Sequence, residues 1–511
     1  MVSGYNSVCL LPDRCQGCVN CMKKCPTEAI RVRNGKACII EERCVECGVC
    51  IRACPNKAII AITDELGELE NYRYNIVLPS PVLYTQFPPE YTVSQILTAL
   101  RSLGFDEVFE TAIGVDLLAS YIDVDKTAGS LNLQYPLISS SCPVVTRLIQ
   151  GKFPSLLDHL LPFRLPVEIA TSLFIKERCL QLGLKPEEVG IFYVTSCPAE
   201  VTALRQRISE NNEQVKIISI KQIYSQIMKK LVGRIETQVK SQASANAACW
   251  CITGGETAVF NLDSYLTVDG VENVMTILTQ VEMGKLNCVK YIEAKACIGG
   301  CVGGVLAVEN QFIARRKAQQ FIGNVADFSQ TFFEKKYSLS RKQICAGKIE
   351  HRPVFRLDSD LSMAIKKIKL IEQIESELPG LDCGSCGAPT CKALAEDIVQ
   401  GSAEWFDCVF IVKNEINRIV EQIKLLNTNM EEKDGKEKSK ELLGFNDYRR
   451  IFLLEKLSET NEAMSVGEAQ TEVEFKGEAQ LSFLLDKLYR LSGKVPPAMP
   501  KTKVCKKKEV N

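Results

Sequence analysis

With 511 residues the chain is long enough for several domains, because single hydrophobic cores stop growing near roughly 250–300 residues. Lys and Arg total 62 and Asp and Glu total 62, so no global field points to nucleic acid or to a membrane surface. Hydrophobic content is ordinary at 46%, no apolar run approaches the ~18 residues of a membrane span, and MVSGYNSVCLLPDRC is not a signal peptide, so a cytoplasmic protein is expected.

The unusual totals are 24 cysteines against two histidines, His159 and His351. Without an export signal, that balance argues for thiolate-bound metal rather than disulfides, and against histidine-based zinc or non-haem iron sites. Spacing narrows the metal. Residues 15–26 read CQGCVNCMKKCP and residues 44–55 read CVECGVCIRACP, each a C-x2-C-x2-C-x3-C-P run. In such runs the fourth cysteine ligates the other cluster. Cys15, Cys18, Cys21 and Cys54 are therefore expected to hold one [4Fe-4S] cube, and Cys44, Cys47, Cys50 and Cys25 a second. The repeat extends past the prolines as TEAIRV and NKAIIA. A pair of zinc knuckles would not require the reciprocal fourth cysteine. Residues 1–65 thus read as a bacterial-type two-cluster ferredoxin module.

From about Tyr74 short, β-branched runs alternate with amphipathic ones. NIVLPSP, DEVFET, YPLISSS, VGIFYVTS and VKIISI are expected strands; TVSQILTALRSLG, PVEIATSLFIKERCLQLG and SIKQIYSQIMKKLVG are expected helices. The alternation predicts an α/β domain with largely parallel sheets and ligands beyond the carboxyl ends of strands. Cys142 and Cys197 each follow a strand in Ser-Cys-Pro, and EAKACIGGCVGG adds Cys297 and Cys301 among Gly299, Gly300, Gly303 and Gly304. Either strand-end thiol alone reads as a core cysteine; together the four make the ligand set of a third cube. The glycines allow the dihedrals and close backbone approach that a wrapped loop needs.

The order strand-SCP, strand-SCPA, E-x-x-A-C-x-G-G-C-x-G-G resembles the three signature motifs of the [FeFe]-hydrogenase large subunit, roughly from Tyr72 to Tyr337, within a domain expected over 72–370. The resemblance implies a two-lobed α/β domain in which Cys142, Cys197, Cys297 and Cys301 bind a cube. It also implies that Cys301 bridges to a diiron centre carrying CO and cyanide, and that Glu293 opens the third motif. Three departures stand out. Ser141 occupies the position of a proton-shuttling cysteine, and a hydroxyl relays protons less readily than a thiol near pKa 8.5. Glu200 replaces a lysine that donates to an anionic cyanide, a reversal of a Coulomb term of about 4 kcal/mol at ~4 Å. Lys295 stands where an apolar residue, often methionine, packs on the diiron centre. A protonated Glu200, Arg205 or Lys295 are the ways the missing charge could be supplied.

Residues 378–391 read LPGLDCGSCGAPTC, and Cys408 comes after them in WFDC. The set Cys383, Cys386, Cys391 and Cys408 resembles the small [4Fe-4S] module of corrinoid iron–sulfur and Rnf-type proteins, expected over 376–411, with a zinc knuckle as the alternative. A hydrogenase-type domain joined to this module resembles the sensory branch of the family. Over 412–511 a helical tail is expected: Val412, Ile416, Ile419, Ile423, Leu426 and Met430 follow coiled-coil spacing, suited to homodimerisation, before the EEKDGKEKSK linker and two further helical stretches. The remaining cysteines (Cys9, Cys38, Cys179, Cys249, Cys251, Cys288, Cys345 and Cys505) are expected to be mostly packing residues, and the pair in ACWCITGG has no assigned role.

These residues point first to a hydrogenase-type oxidoreductase, with a non-catalytic iron–sulfur protein as the alternative. The first would perform slow, reversible hydrogen oxidation and proton reduction, used for sensing, with a ferredoxin or a signalling protein as redox partner. The alternative is non-catalytic electron transfer or redox sensing by four cubes without a diiron site.

Overall fold

A computed structural model describes residues 6–431 except 212–214, 234–235, 323–327, 329–340, 354–356 and 359. The expected helices in ELLGFNDYRRIFLLEKL and AQLSFLLDKLYRLSG, the linker before them and Cys505 lie outside the described residues.

The N-terminal module is built as its repeat requires. Strands β1 (Val8–Leu10), β2 (Ile30–Arg33), β3 (Lys36–Ile39) and β4 (Ile59–Ala61) form two antiparallel pairs, β1 with β4 and β2 with β3. Val8, Met22, Ile30, Ala37 and Ile59 close a small core between them. Glu46, 1% exposed, locks the module to the α/β domain. Its carboxylate accepts from Ser7 N and Oγ, from Val8 N, and from Thr202 Oγ1 on the helix after Cys197. Asp64 adds a second tie, accepting from Ile217 N at 2.6 Å and from Arg205 Nη2 at 3.1 Å.

The α/β domain holds two four-stranded sheets, and every pairing within them is parallel. The first contains β5 (Tyr74–Pro79) and β6 (Glu107–Val108), and the second opens with β7 (Leu137–Ser139) and β8 (Leu160–Leu161). The chain then returns to the first sheet with β9 (Val189–Thr195) and β10 (Val215–Ser219), giving the order β10-β9-β5-β6. β11 (Tyr265–Asp269) and β12 (Tyr291–Lys295) complete the second as β11-β12-β7-β8. Parallel strands are covered on both faces and so read as continuous apolar runs; all seven residues of β9 are buried. The five expected strands are present as β5, β6, β7, β9 and β10. The expected helices appear as Val93–Arg101 and Ile220–Val232, and as Pro166–Leu173 continued by a π-helical segment, Phe174–Cys179. β8, β11 and β12 lie outside the expected set. β12 carries Glu293 and Lys295, charges that hide a buried strand from an apolar pattern.

The small C-terminal module packs helix Cys391–Val399 on helix Leu361–Glu377, with Ile371, Leu378, Ala393, Leu394 and Cys408 at its core. Helix Leu361–Glu377 therefore crosses the boundary expected between 370 and 376, because its apolar face belongs to this module. The module seats on the ferredoxin module. Asp397 Oδ2 accepts from Arg31 Nε and Arg33 Nη2, both at 2.7 Å, Arg43 Nη2 reaches Glu396 at 2.7 Å, and Val32 N donates to Gly387 O. A Cβ on Gly387 would lie 1.9 Å from Val32 O, so the two backbones meet with no room for a side chain.

The expected seam lies on a helix, Val409–Glu431. Val412 is only 3% exposed within the single chain, and the side chains of Ile423, Leu426 and Met430 lie outside the described residues. The second compact unit begins at Asn417 and its described part continues this helix. Among the described residues no helix is long and apolar enough to cross a membrane.

Candidate metal centre

The cysteines gather in four groups. Cys25, Cys44, Cys47 and Cys50 line one pocket, which is the reciprocal pairing the repeat predicts. Burial pushes the Cys21 thiol up to about 11, and Cys18, Cys54 and Cys15 are near enough to push it further. The two halves of the module repeat even a sulfur hydrogen bond: Ala29 N donates to Cys25 Sγ and Ala58 N to Cys54 Sγ, both at 3.2 Å. Cys383, Cys386, Cys391 and Cys408 line a second pocket in the C-terminal module.

The fourth group joins the two lobes. β7 runs into Cys142, β9 into Cys197 and β12 into Cys297, so three strand ends from both sheets deliver thiols to one place. Cys142 caps helix Pro143–Lys152 and Cys197 precedes helix Pro198–Asn211, each with proline at the first helical position, where no N–H is wasted. Burial raises the Cys142 thiol, and the backbone N–H groups of Ala296, Val145 and Val144 oppose it. Cys197 is raised by burial, then by Glu200, and then by Cys297, Cys142 and Cys301 around it. Gly300, at φ +95°, lies against the backbone of Cys251 to Thr253, and a Cβ on Gly304 would stand 2.5 Å from Ser196 O. Gly299 N donates to Asp269 Oδ2 and Gly303 O accepts from Arg52 of the ferredoxin module.

These groups fit iron–sulfur cubes. Among the described residues no three His, Cys, Asp or Glu side chains are placed to share a single metal ion, and in two of the groups the four thiols line a common pocket instead. Arg147, on the helix that Cys142 begins, buries its Nη2 without a hydrogen-bond partner; burial lowers its pKa, and Glu46 opposes that ahead of Cys44 and Cys197. An orphaned buried guanidinium N–H suits an anionic sulfur cluster.

The diiron seat is different. Lys295, 2% exposed, places Nζ 3.3 Å from Glu256 Oε2, 3.4 Å from Ser141 Oγ and 3.4 Å from Trp250 O, over the Trp250 ring at 5.0 Å. An ammonium has three N–H donors, and three acceptors take them. Ser141 Oγ donates to Glu256 Oε2 at 2.7 Å and also receives Ser139 Oγ at 2.9 Å, so its one proton and both lone pairs are committed. Tyr291 donates to the other Glu256 oxygen. Glu293 accepts Gly254 N and Thr257 N at 3.0 and 3.1 Å, which pins the start of helix Gly255–Val259 and with it Glu256. Burial holds Glu293 up at about 7.

Glu200 accepts from Tyr193 at 2.7 Å and Thr195 at 2.5 Å, and burial raises its carboxyl. Arg205 does not supply the missing cation, because it is bonded to Asp64 at the ferredoxin junction. Lys295 is a buried cation at the site. A diiron unit needs donors and space beside Cys301, where this chain has a closed polar cluster. The residues do not fit it.

Sequence reasoning missed Glu256, Trp250 and Tyr291. The only signal was a lone acid in the apolar stretch TGGETAVF, whose partners lie 39 and 115 residues away. The ACWC pair packs in the core: Cys249 Sγ donates to Ala318 O and Cys251 Sγ to Ala248 O. Cys179 is also buried, whereas Cys38 and Cys288 are exposed and so are not packing residues.

Comparison with known families runs along the same division. Residues 74–218 match the iron only hydrogenase large subunit, C-terminal domain, and residues 14–59 match a 4Fe-4S dicluster domain. Over these segments the chain resembles the [FeFe]-hydrogenase large subunit with an N-terminal ferredoxin-type module. Residues 378–410 match an Fe-S cluster family, so iron–sulfur cofactors are indicated at both ends of this hydrogenase-like protein. The large-subunit match stops before Glu293, Lys295, Cys297 and Cys301. A curated relative is the NADP-reducing hydrogenase subunit HndD of Solidesulfovibrio fructosivorans, 23% identical over 267 residues, covering 42% of this chain and 46% of the relative. The chain spans about half the length of that relative. Among solved structures, an [FeFe]-hydrogenase HydA(deltaEFG) aligns at 16% identity and TM-score 0.42, covering 52% of this chain and 89% of that one. An HydA1 variant from Chlamydomonas reinhardtii aligns at 16% identity and TM-score 0.39, covering 50% and 85%.

Proposed function

We propose that this hydrogenase-like protein is a cytoplasmic electron-transfer and redox-sensing protein that carries four [4Fe-4S] clusters and no diiron centre. The ligands would be Cys15, Cys18, Cys21 and Cys54; Cys25, Cys44, Cys47 and Cys50; Cys142, Cys197, Cys297 and Cys301; and Cys383, Cys386, Cys391 and Cys408. The proposed divisions remain 1–65, 72–370, 376–411 and 412–511, with helix Leu361–Glu377 serving the third. The observation that carries the reading is the closed Lys295–Glu256–Ser141 cluster, which leaves no spare donor where a cyanide-bearing diiron unit would need one. Thiolate clusters supply one-electron chemistry, and their potentials follow charge, hydrogen bonding and exposure.

The ferredoxin module abuts the central group. Val45 packs with Val144, Ala199 and Ala296, beside Cys47, Cys142 and Cys197. That continuity favours electron exchange with an external redox protein, such as a ferredoxin or a signalling partner. The helix Val409–Glu431 is a candidate dimer contact. Slow hydrogen turnover is the second reading, favoured by the intact convergence of Cys142, Cys197, Cys297 and Cys301.

Anaerobic iron and sulfide analysis of the reconstituted chain tests the cluster count. About sixteen irons per chain are expected for four cubes; a value near eighteen with full reconstitution, or one near twelve, contradicts the reading.

A further inference from the structure

Among the described residues Lys295 is the most deeply buried cation next to any of the cysteine groups, and its position is over-determined. It comes from the end of β12, two residues before Cys297, and is held by Glu256 from helix Gly255–Val259, by Ser141 beside Cys142, and by the Trp250 carbonyl and ring. The pair is also oriented. Both Glu256 oxygens are engaged on the side of Tyr291 and Ser141, and Glu293 fixes the helix behind them. The ammonium is tied to the thiol-bearing segments at two points, because Lys295 stands two residues before Cys297 and its Nζ bonds Ser141, the neighbour of Cys142.

We infer that Lys295 is a positioning residue that sets the reduction potential of the central cluster, acting as a fixed positive charge anchored by Glu256. The inference rests on the four-cluster reading of the same site. A cation near a cluster stabilises the more negative, reduced form, and the low dielectric of a buried site keeps that effect large. Lys295 stays charged throughout and makes no bond to the incoming electron. In a titration the chemical reductant dithionite loses one electron and the cluster gains one, with no bond formed or broken at Lys295 or Glu256.

Potentiometric titration of the full-length holoprotein, monitored by electron paramagnetic resonance with the ferredoxin clusters as internal reference, tests this. In Lys295→Met the central cluster should be harder to reduce, its reduced-to-oxidised ratio at fixed ambient potential falling at least tenfold, about 59 mV for a one-electron couple. Lys295→Arg should stay within threefold of the unaltered protein. Glu256→Gln removes the anion and leaves the cation, so its shift should run the opposite way. Equal or same-signed shifts in Lys295→Met and Glu256→Gln would mean a merely structural role and would overturn the inference. If Lys295→Met does not accumulate, Glu256→Gln decides: an unchanged or lowered potential refutes it. Iron analysis of the unaltered protein separates the two levels. Near twelve irons with no central signal sinks the four-cluster reading itself, whereas sixteen irons with unmoved potentials sinks only the role of Lys295.

Discussion

Replacing Asp397 with alanine is expected to destabilise the seat of the C-terminal module by about 3–5 kcal/mol, the cost of leaving a buried charge without its partner. Asp397 is 7% exposed at its side chain and receives Arg31, itself 5% exposed, together with Arg33. Arg31 also donates from Nη1 to Glu28 O, and its Nη2 is buried without a partner, so the guanidinium has little to fall back on. The loss should release the Cys383–Cys391 loop from the ferredoxin module. Hydrogen exchange across 380–400, compared with a denaturant unfolding curve, measures it. A double variant, Arg31→Met with Asp397→Leu, should recover most of the loss because it removes both charges. A single-variant cost below about 1 kcal/mol, the range of surface pairs, would show that the ion pairs do not hold the seat.

Cys197→Ser is expected to remove one whole cluster, lowering iron from about sixteen to about twelve per chain. Thiolate ligands bind as a set, and metal binding contributes folding free energy, so the two lobes should also lose stability together. Cys251→Ser is the matched control. Cys251 is buried and close enough to couple to Cys301, yet its thiol is spent on Ala248 O. It should retain all the iron. Equal iron loss in both variants, or none in Cys197→Ser, would contradict the assignment of Cys197.

The ferredoxin module is legible in the sequence because its ligands are fixed by covalent spacing, and spacing is written in the chain. The same holds for the strand-end thiols: β7 and β9 are short apolar runs that stop at Ser-Cys-Pro. β12 is hidden for the opposite reason. YIEAK carries two charges that are buried only because Glu256 and the start of its helix meet them. No local pattern encodes a partner 39 residues away in a different element. Arg205 illustrates the converse error. It lies on the helix that begins after Cys197, but its direction along that helix takes it to Asp64, at the link to the ferredoxin module. Glu200 reads from sequence as the position that most calls hydrogen catalysis into question; its carboxylate rests on two hydroxyl donors, and the sharper obstacle is the committed ammonium of Lys295.

On the proposed reading this hydrogenase-like chain keeps the cube and has closed the diiron seat. Infrared spectroscopy of the protein, co-expressed with the diiron maturation enzymes and purified without oxygen, tests it most directly. No CO or cyanide stretching bands are expected, with iron remaining at about sixteen per chain. CO and cyanide bands in proportion to protein would contradict the account and return the chain to the hydrogenases.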